Sequence, residues 1–255
     1  MIKYLIFVLF IVLSIHIAAD ASAADTTSGP FDHTHALYAN VLGEYVKDGS
    51  VNYAGIKSDP DNLKNYLNQT SAITKEKFYT WTREQQLAFL INVYNAETMD
   101  IVQENYPVVS IKDIAKDSGG PWEQPVVQIF GENITLNALE HKIIRKNYPE
   151  PRIHFALVCA AKGCPVLIDK PYLGETLKDQ LEDQTRVFLA DTQKNSIDTK
   201  TKTLNLSPVF DWFSEDFVKE SGSVIAFVNP YIGDDAGSDF KIEYTSYDWT
   251  LNDMQ

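Results

Sequence analysis

Both cysteines of the chain, Cys159 and Cys164, fall in HFALVCAAKGC, a stretch that begins at His154. Cysteines so placed could form a disulfide, bind a metal, or supply a nucleophilic thiol beside a bystander. A bridge requires Cα atoms within about 7 Å, whereas this segment fully extended would span roughly 16 Å, so the chain must turn inside AAKG, as Gly163 permits. Closing so short a loop removes only about 2 kcal/mol of unfolded-state entropy. As metal ligands, His154, Cys159 and Cys164 lack the usual zinc-knuckle spacing, and a structural zinc wants four donors. No metal site is expected.

The third chemistry needs a thiolate, and a thiolate needs a base that is itself held in place. His141 in NALEHKIIR is the natural base for Cys159, because the link RKNYPEP is short enough to let the following segment pack back on the His141 helix. Glu140 is next to it in sequence, about 100° away around a helix, so it is poorly placed to orient His141 directly. Asn137 and Glu140 also have capping-box spacing, which gives the carboxylate a purely structural use. Asn92 and Asn95 interrupt the apolar run AFLINVYNAE on one helical face. Asparagine inside a helix needs compensating tertiary hydrogen bonds, so the pair either holds backbone or positions a histidine or an oxyanion.

The elements that must carry these residues can be read from periodicity. FDHTHALYANVLGEYVKDG reads as a helix, VNYAGI as a short strand, and a second helix starts near Pro60. The strongest helix is TREQQLAFLINVYNAETMDIVQENY, with a capping box from Thr82 to Gln85, an apolar stripe of Leu87, Leu90, Ile91, Tyr94 and Ile101, and Pro107 to end it. VVQIFGENITLN reads as a hairpin leading into NALEHKIIRKNY, a helix, and RIHFALVC reads as a buried strand. LGETLKDQLEDQTRVFLAD has helical leucine spacing, SIDTKTKTLNLS has hairpin character, Ser207-Pro208 opens a helix, and KIEYTSYDWTLN alternates like a strand. Irregular interleaving of many helices with few strands gives an α+β class: one helix-rich domain, residues 31–255, around a small mixed or antiparallel sheet.

The chain has 255 residues, 44% of them hydrophobic and 22% charged, enough for one substantial core. Lys3, the apolar run Tyr4 to Ala19 and Ala21-Ser22-Ala23 read as a secretory signal peptide over residues 1–23, followed by a spacer over 24–30. An apolar run of about 16 residues is short of a bilayer span, so no stable membrane insertion is expected after cleavage, and the product belongs in the periplasm or outside the cell. A net charge of -13 repels phosphate backbones, which argues against nucleic acid as a partner. Phosphate-cradling and dinucleotide glycine motifs, H-E-x-x-H, G-x-S-x-G and C-x-x-C are all missing, and no cofactor is expected.

EQQLAFLINVYNAETM, LNALEHKIIR, PRIHFALVCAAKGCPVL, LSPVFDWFSEDF and YDWTLN, taken in order, resemble the bacterial and plant family known as domain of unknown function 547, from about Phe31 to Asn252. The resemblance implies a thiol site: the paired asparagines carry over to Asn92 and Asn95, the E-H pair to Glu140 and His141, and the first cysteine to Cys159. Plant members of this kind often lack the second cysteine and vary at His154, which makes Cys164 a bystander, a resolving thiol or a capping thiol. The order histidine then cysteine departs from papain-like enzymes, so the resemblance implies at most a rearranged relative of the papain or transglutaminase-like group. The leading expectation is therefore acyl transfer or amide hydrolysis on a peptide-like or envelope substrate, with Cys159 as nucleophile and His141 as base. Glu140, Asn92 or Asn95 would orient the base or bind the oxyanion. The alternative is a non-catalytic binding module whose cysteines are bridged and whose exposed aromatics, in PVFDWF and YDWTLN, meet a ligand or protein surface. Oligomeric state is left open.

Overall fold

The computed structural model describes residues 30–232, 236, 237 and 239–254. The signal peptide expected over residues 1–23 lies outside the described residues. The chain from Phe31 onward forms one compact unit.

It opens with helix α1, Ala36–Tyr45, and a two-stranded ribbon of β1, Val46–Lys47, and β2, Ser50–Val51. VNYAGI, expected as a strand, instead enters helix α2, Tyr53–Ser58, because the Asn52 side chain accepts from the Gly55 amide at 2.8 Å and caps it. Helices α3, Asp61–Ser71, and α4, Lys75–Phe78, lead to the long helix α5, Arg83–Asn105. Its start is the expected capping box: Thr82 accepts from the Gln85 amide, and the Gln85 side chain accepts from the Thr82 amide. Every residue from Leu87 to Gln103 is buried, so α5 is surrounded on all sides and runs through the core. The apolar stripe read from sequence is only part of that burial.

A hairpin of β3, Val127–Ile129, and β4, Glu132–Ile134, follows as expected. One continuous helix then comprises α6, Leu136–Ala138, a π-helical stretch, Leu139–Ile144, and α7, Arg145–Asn147. RIHFALVC is not a strand. Residues Pro151–Phe155 form a 3-10 turn with proline at its start, and the chain beyond is irregular. Helix α8, Leu177–Ala190, matches the leucine spacing. Strands β5, Ser196–Asp198, and β6, Thr203–Leu206, pair antiparallel. Helices α9, Val209–Trp212, α10, Ser214–Ser221, and α11, Val224–Val228, then precede β7, Lys241–Tyr244, which pairs parallel with β6.

The class is α+β, with sheets of two, two and three strands among the described residues. Among the described residues no helix is long and apolar enough to cross a membrane. Three apolar clusters form the core: one between α1, α3 and the distal part of α5, one around the proximal part of α5, and one joining α8 to α9, α10 and α11.

Candidate functional site

The two asparagines of α5 are buried clamps on backbone. The Asn92 amide accepts from the Tyr172 N–H and donates to the Tyr172 carbonyl, at 2.9 and 2.8 Å. Asn95 does the same for the segment before Cys159, accepting from the Val158 N–H and donating to the Ala156 carbonyl, each at 2.9 Å. These pairs stand in for a strand ladder, which is why RIHFALVC can be buried without becoming a strand. Neither asparagine lines the cavity that holds His154 and the cysteines; both hold backbone, the first of the two roles expected of them.

Glu140 and His141 come from the π-helical turn, a local over-opening of the helix often found where side chains are aimed at a site. The expected capping role of Glu140 is not what the structure holds. Thr135 caps this helix by accepting from the Ala138 amide, and Asn137 donates to Glu123. Glu140 instead points inward, where Tyr94 of α5 donates to its Oε2 at 3.2 Å. Burial pushes its carboxyl up to about 7, with the Tyr94 bond and Arg145 opposing. His141 Nδ1 accepts from the Arg145 guanidinium at 2.7 Å, and guanidinium has no lone pair to offer in return. Burial and the Arg145 charge lower its pKa, so the neutral ring carries its proton on Nε2 and presents a donor. In that tautomer His141, the expected base, has no free lone pair with which to take a proton from a thiol.

A different histidine is oriented as a base. His154, expected as an ordinary strand histidine, stacks on Phe213 with ring centroids 3.8 Å apart, and its Nε2 lies 2.8 Å from Asp216 Oδ2. Arg145 donates from Nε to the same oxygen at 2.7 Å. Burial alone would raise the Asp216 carboxyl, but the bonds from His154 and Arg145 hold it far below the usual carboxylate range. It therefore only accepts, which places a proton on His154 Nε2. Burial lowers the His154 pKa against the pull of Asp216, so near neutral pH the ring is uncharged and Nδ1 is a bare lone pair. That atom is buried without a hydrogen-bond partner and lies 4.0 Å from Glu140 Oε1.

The cysteines are joined. Cys159 and Cys164 form a disulfide with Cα atoms 6.1 Å apart, so the thiol expected at Cys159 is not free in this structure. The turn in AAKG exists, but the left-handed residue is Ala160, with φ 58°. Gly163 is required for another reason: a Cβ there would lie 2.9 Å from the Asp248 nitrogen. Around it the loop is laced to the last described segment, with Gly163 donating to the Asp248 carbonyl, Lys162 to Thr250 and Asn252 to Ala160, at 2.8, 2.8 and 3.0 Å. This lacing carries Tyr247 and Trp249 to the cysteines. The Tyr247 hydroxyl lies 3.0 Å from Cys159 Sγ and 3.1 Å from Cys164 Sγ.

These groups meet in one cavity of about 280 Å³, lined by Tyr94, Glu140, His141, His154, both cysteines and the aromatic rings of Trp122, Trp212, Phe213, Tyr247 and Trp249. Of the expected residues, Cys159, His141 and Glu140 are brought together. His154, Asp216, Arg145, Tyr94 and Tyr247 complete the site without having been singled out as its parts. Among the described residues no cluster of three or more metal-binding side chains occurs.

A family model described as a protein of unknown function, DUF547, matches residues 78–189. The match covers α5, the π-helical turn, His154 and both cysteines, but stops short of Asp216 and Tyr247, and is narrower than the motif resemblance. No curated protein and no solved structure matches the chain, so a papain or transglutaminase-like relationship stands without support.

Proposed function

We propose that the pocket of this chain, which matches the DUF547 family model over residues 78–189, is an acid–base site for hydrolysis or acyl transfer at the carbonyl of a small peptide-like substrate. The observation that carries the reading is the unpartnered His154 Nδ1 facing Glu140 Oε1 across 4.0 Å, with Asp216 on the far side of the imidazole. A water or substrate hydroxyl bound between them gives its proton to Nδ1 as it attacks the carbonyl. Asp216 stabilises the imidazolium that forms, and protonated Glu140 gives its proton to the departing nitrogen or oxygen. The aromatic wall supplies apolar surface for the body of the substrate. Cys159 takes no part while it is bridged. The bridge and the apolar run at Tyr4 to Ala19 support export to the periplasm or cell exterior, where disulfides persist.

The test is turnover of a panel of chromogenic esters and aminoacyl anilides by the oxidised protein, with Glu140→Gln and His154→Gln alongside. His154 must be neutral and Glu140 protonated, so activity rises through a pKa below 6.5 and falls through one near 7. Each variant should lose roughly 10²- to 10⁴-fold in kcat. Variants as active as the parent would overturn the assignment, and an inert parent that still binds panel compounds would favour the non-catalytic binding module.

A further inference from the structure

The two sulfurs of the bridge are in unequal surroundings. Both border the cavity, but Cys159 is partly exposed whereas Cys164 is only 3% exposed. Cys164 Sγ accepts the Cys159 backbone N–H at 2.9 Å and the Tyr247 O–H at 3.1 Å. Cys159 Sγ has the same hydroxyl at 3.0 Å and, among the described residues, no backbone donor. In thiol–disulfide exchange the accessible sulfur is attacked, and the reaction is faster when the departing sulfur is stabilised as a thiolate. Both conditions select the same direction across this bridge.

The geometry points to a thiol–disulfide exchange site that accepts a small neutral dithiol, with Cys159 as the attacked sulfur and Cys164 as the leaving group. An incoming thiolate forms a bond to Cys159 Sγ, the S–S bond breaks, and its electron pair passes to Cys164 Sγ, where the Cys159 N–H and the Tyr247 O–H receive the charge. The second thiol of the same molecule, once deprotonated, attacks its own sulfur in the mixed disulfide and expels the Cys159 thiolate, which takes up that proton. The Cys164 thiolate takes up the proton lost by the first thiol, so the dithiol leaves as a cyclic disulfide and the protein as a dithiol, a transfer of two electrons. A neutral reductant suits the aromatic wall and avoids the field of a protein with net charge -13, which disfavours anionic thiols. This activity uses neither Glu140 nor His154, so it stands or falls apart from the acid–base reading.

The experiment treats the full oxidised chain with 2-mercaptoethanol under native conditions, traps the released thiol with iodoacetamide at intervals, and maps both groups by mass spectrometry. Mercaptoethanol on Cys159 with carbamidomethyl on Cys164 is the expected pattern, and dithiothreitol in a parallel run should release one cyclic disulfide per chain. Tyr247→Phe, verified as folded by circular dichroism, should react about tenfold more slowly, the effect of one lost hydrogen bond to the leaving group. It should also lose part of its preference for Cys159. The reverse labelling pattern, a bridge that reacts only in denaturant, or a Tyr247→Phe rate equal to the parent's would each overturn the proposal.

Discussion

Asn95 shows at the scale of one residue how this site is held. Its amide satisfies a buried N–H and a buried C=O on the segment that ends at Cys159, and Asn95→Ala leaves both without partners. Each orphaned group costs about 1–3 kcal/mol, so the variant should unfold at markedly lower urea, by roughly 2–6 kcal/mol in sum. Asn92→Ala should cost a similar amount, yet it disturbs Tyr172, away from the cavity wall, so any measured activity should suffer less than in Asn95→Ala. Residue type alone was enough to single out Cys159, His141 and Glu140, since thiols, imidazoles and carboxylates close together in sequence are few. It could not say which histidine is a base. That depends on Arg145 reaching one ring and Asp216 the other, and Asp216 is 62 positions from His154, a separation no local pattern encodes.

Among the elements, the lacing of the cysteine loop to residues 248–252 decides where Tyr247 sits. Gly163→Ala pushes a methyl group against the Asp248 backbone. It should therefore destabilise the fold by about 1–3 kcal/mol, as overpacking does. A thermal melt checks the cost. The shift of Tyr247 away from the sulfurs should appear as a change in its near-ultraviolet dichroism. Long periodic elements were legible: α5 with its capping box, α8, and the hairpins β3–β4 and β5–β6. Short apolar runs were not, because a handful of buried residues satisfy strand and helix patterns equally. Asn52 capped VNYAGI into helix, and Asn95 gave RIHFALVC side-chain partners in place of a neighbouring strand.

For the whole molecule, titration links the site to stability. Buried Glu97 is pushed up to about 8 by desolvation and by the neighbouring Asp100, and Glu140 to about 7. Both bind protons more tightly folded than unfolded, so they stabilise the fold at low pH and lose that contribution as pH rises towards their folded pKa values. His33, His35, His141 and His154 are shifted down, mainly by burial, and act in the opposite sense below 6.5. Between pH 6.5 and 8 the carboxyls act alone. The unfolding free energy from urea melts should fall across that window by an amount on the order of 2 kcal/mol, and Glu97→Gln should remove most of the fall. A flat profile in the parent would show that Glu97 is already ionised. The α+β class and the acidity were readable from composition and periodicity, whereas the buried carboxyl of Glu97 was hidden inside a helix that looked amphipathic and proved to be enclosed.

The bridge joins residues only five apart, whereas Tyr247 reaches it from 88 positions away and Asn252 meets Tyr53 across 199. Contacts that close long loops form late, because their entropy is lost before any packing repays it. By that measure the small ring can close while the polypeptide is still mostly unordered, before the tyrosine arrives. Until it does, the sulfurs lack their phenolic partner, and a nascent chain and a finished one offer the same two atoms to passing thiols on different terms.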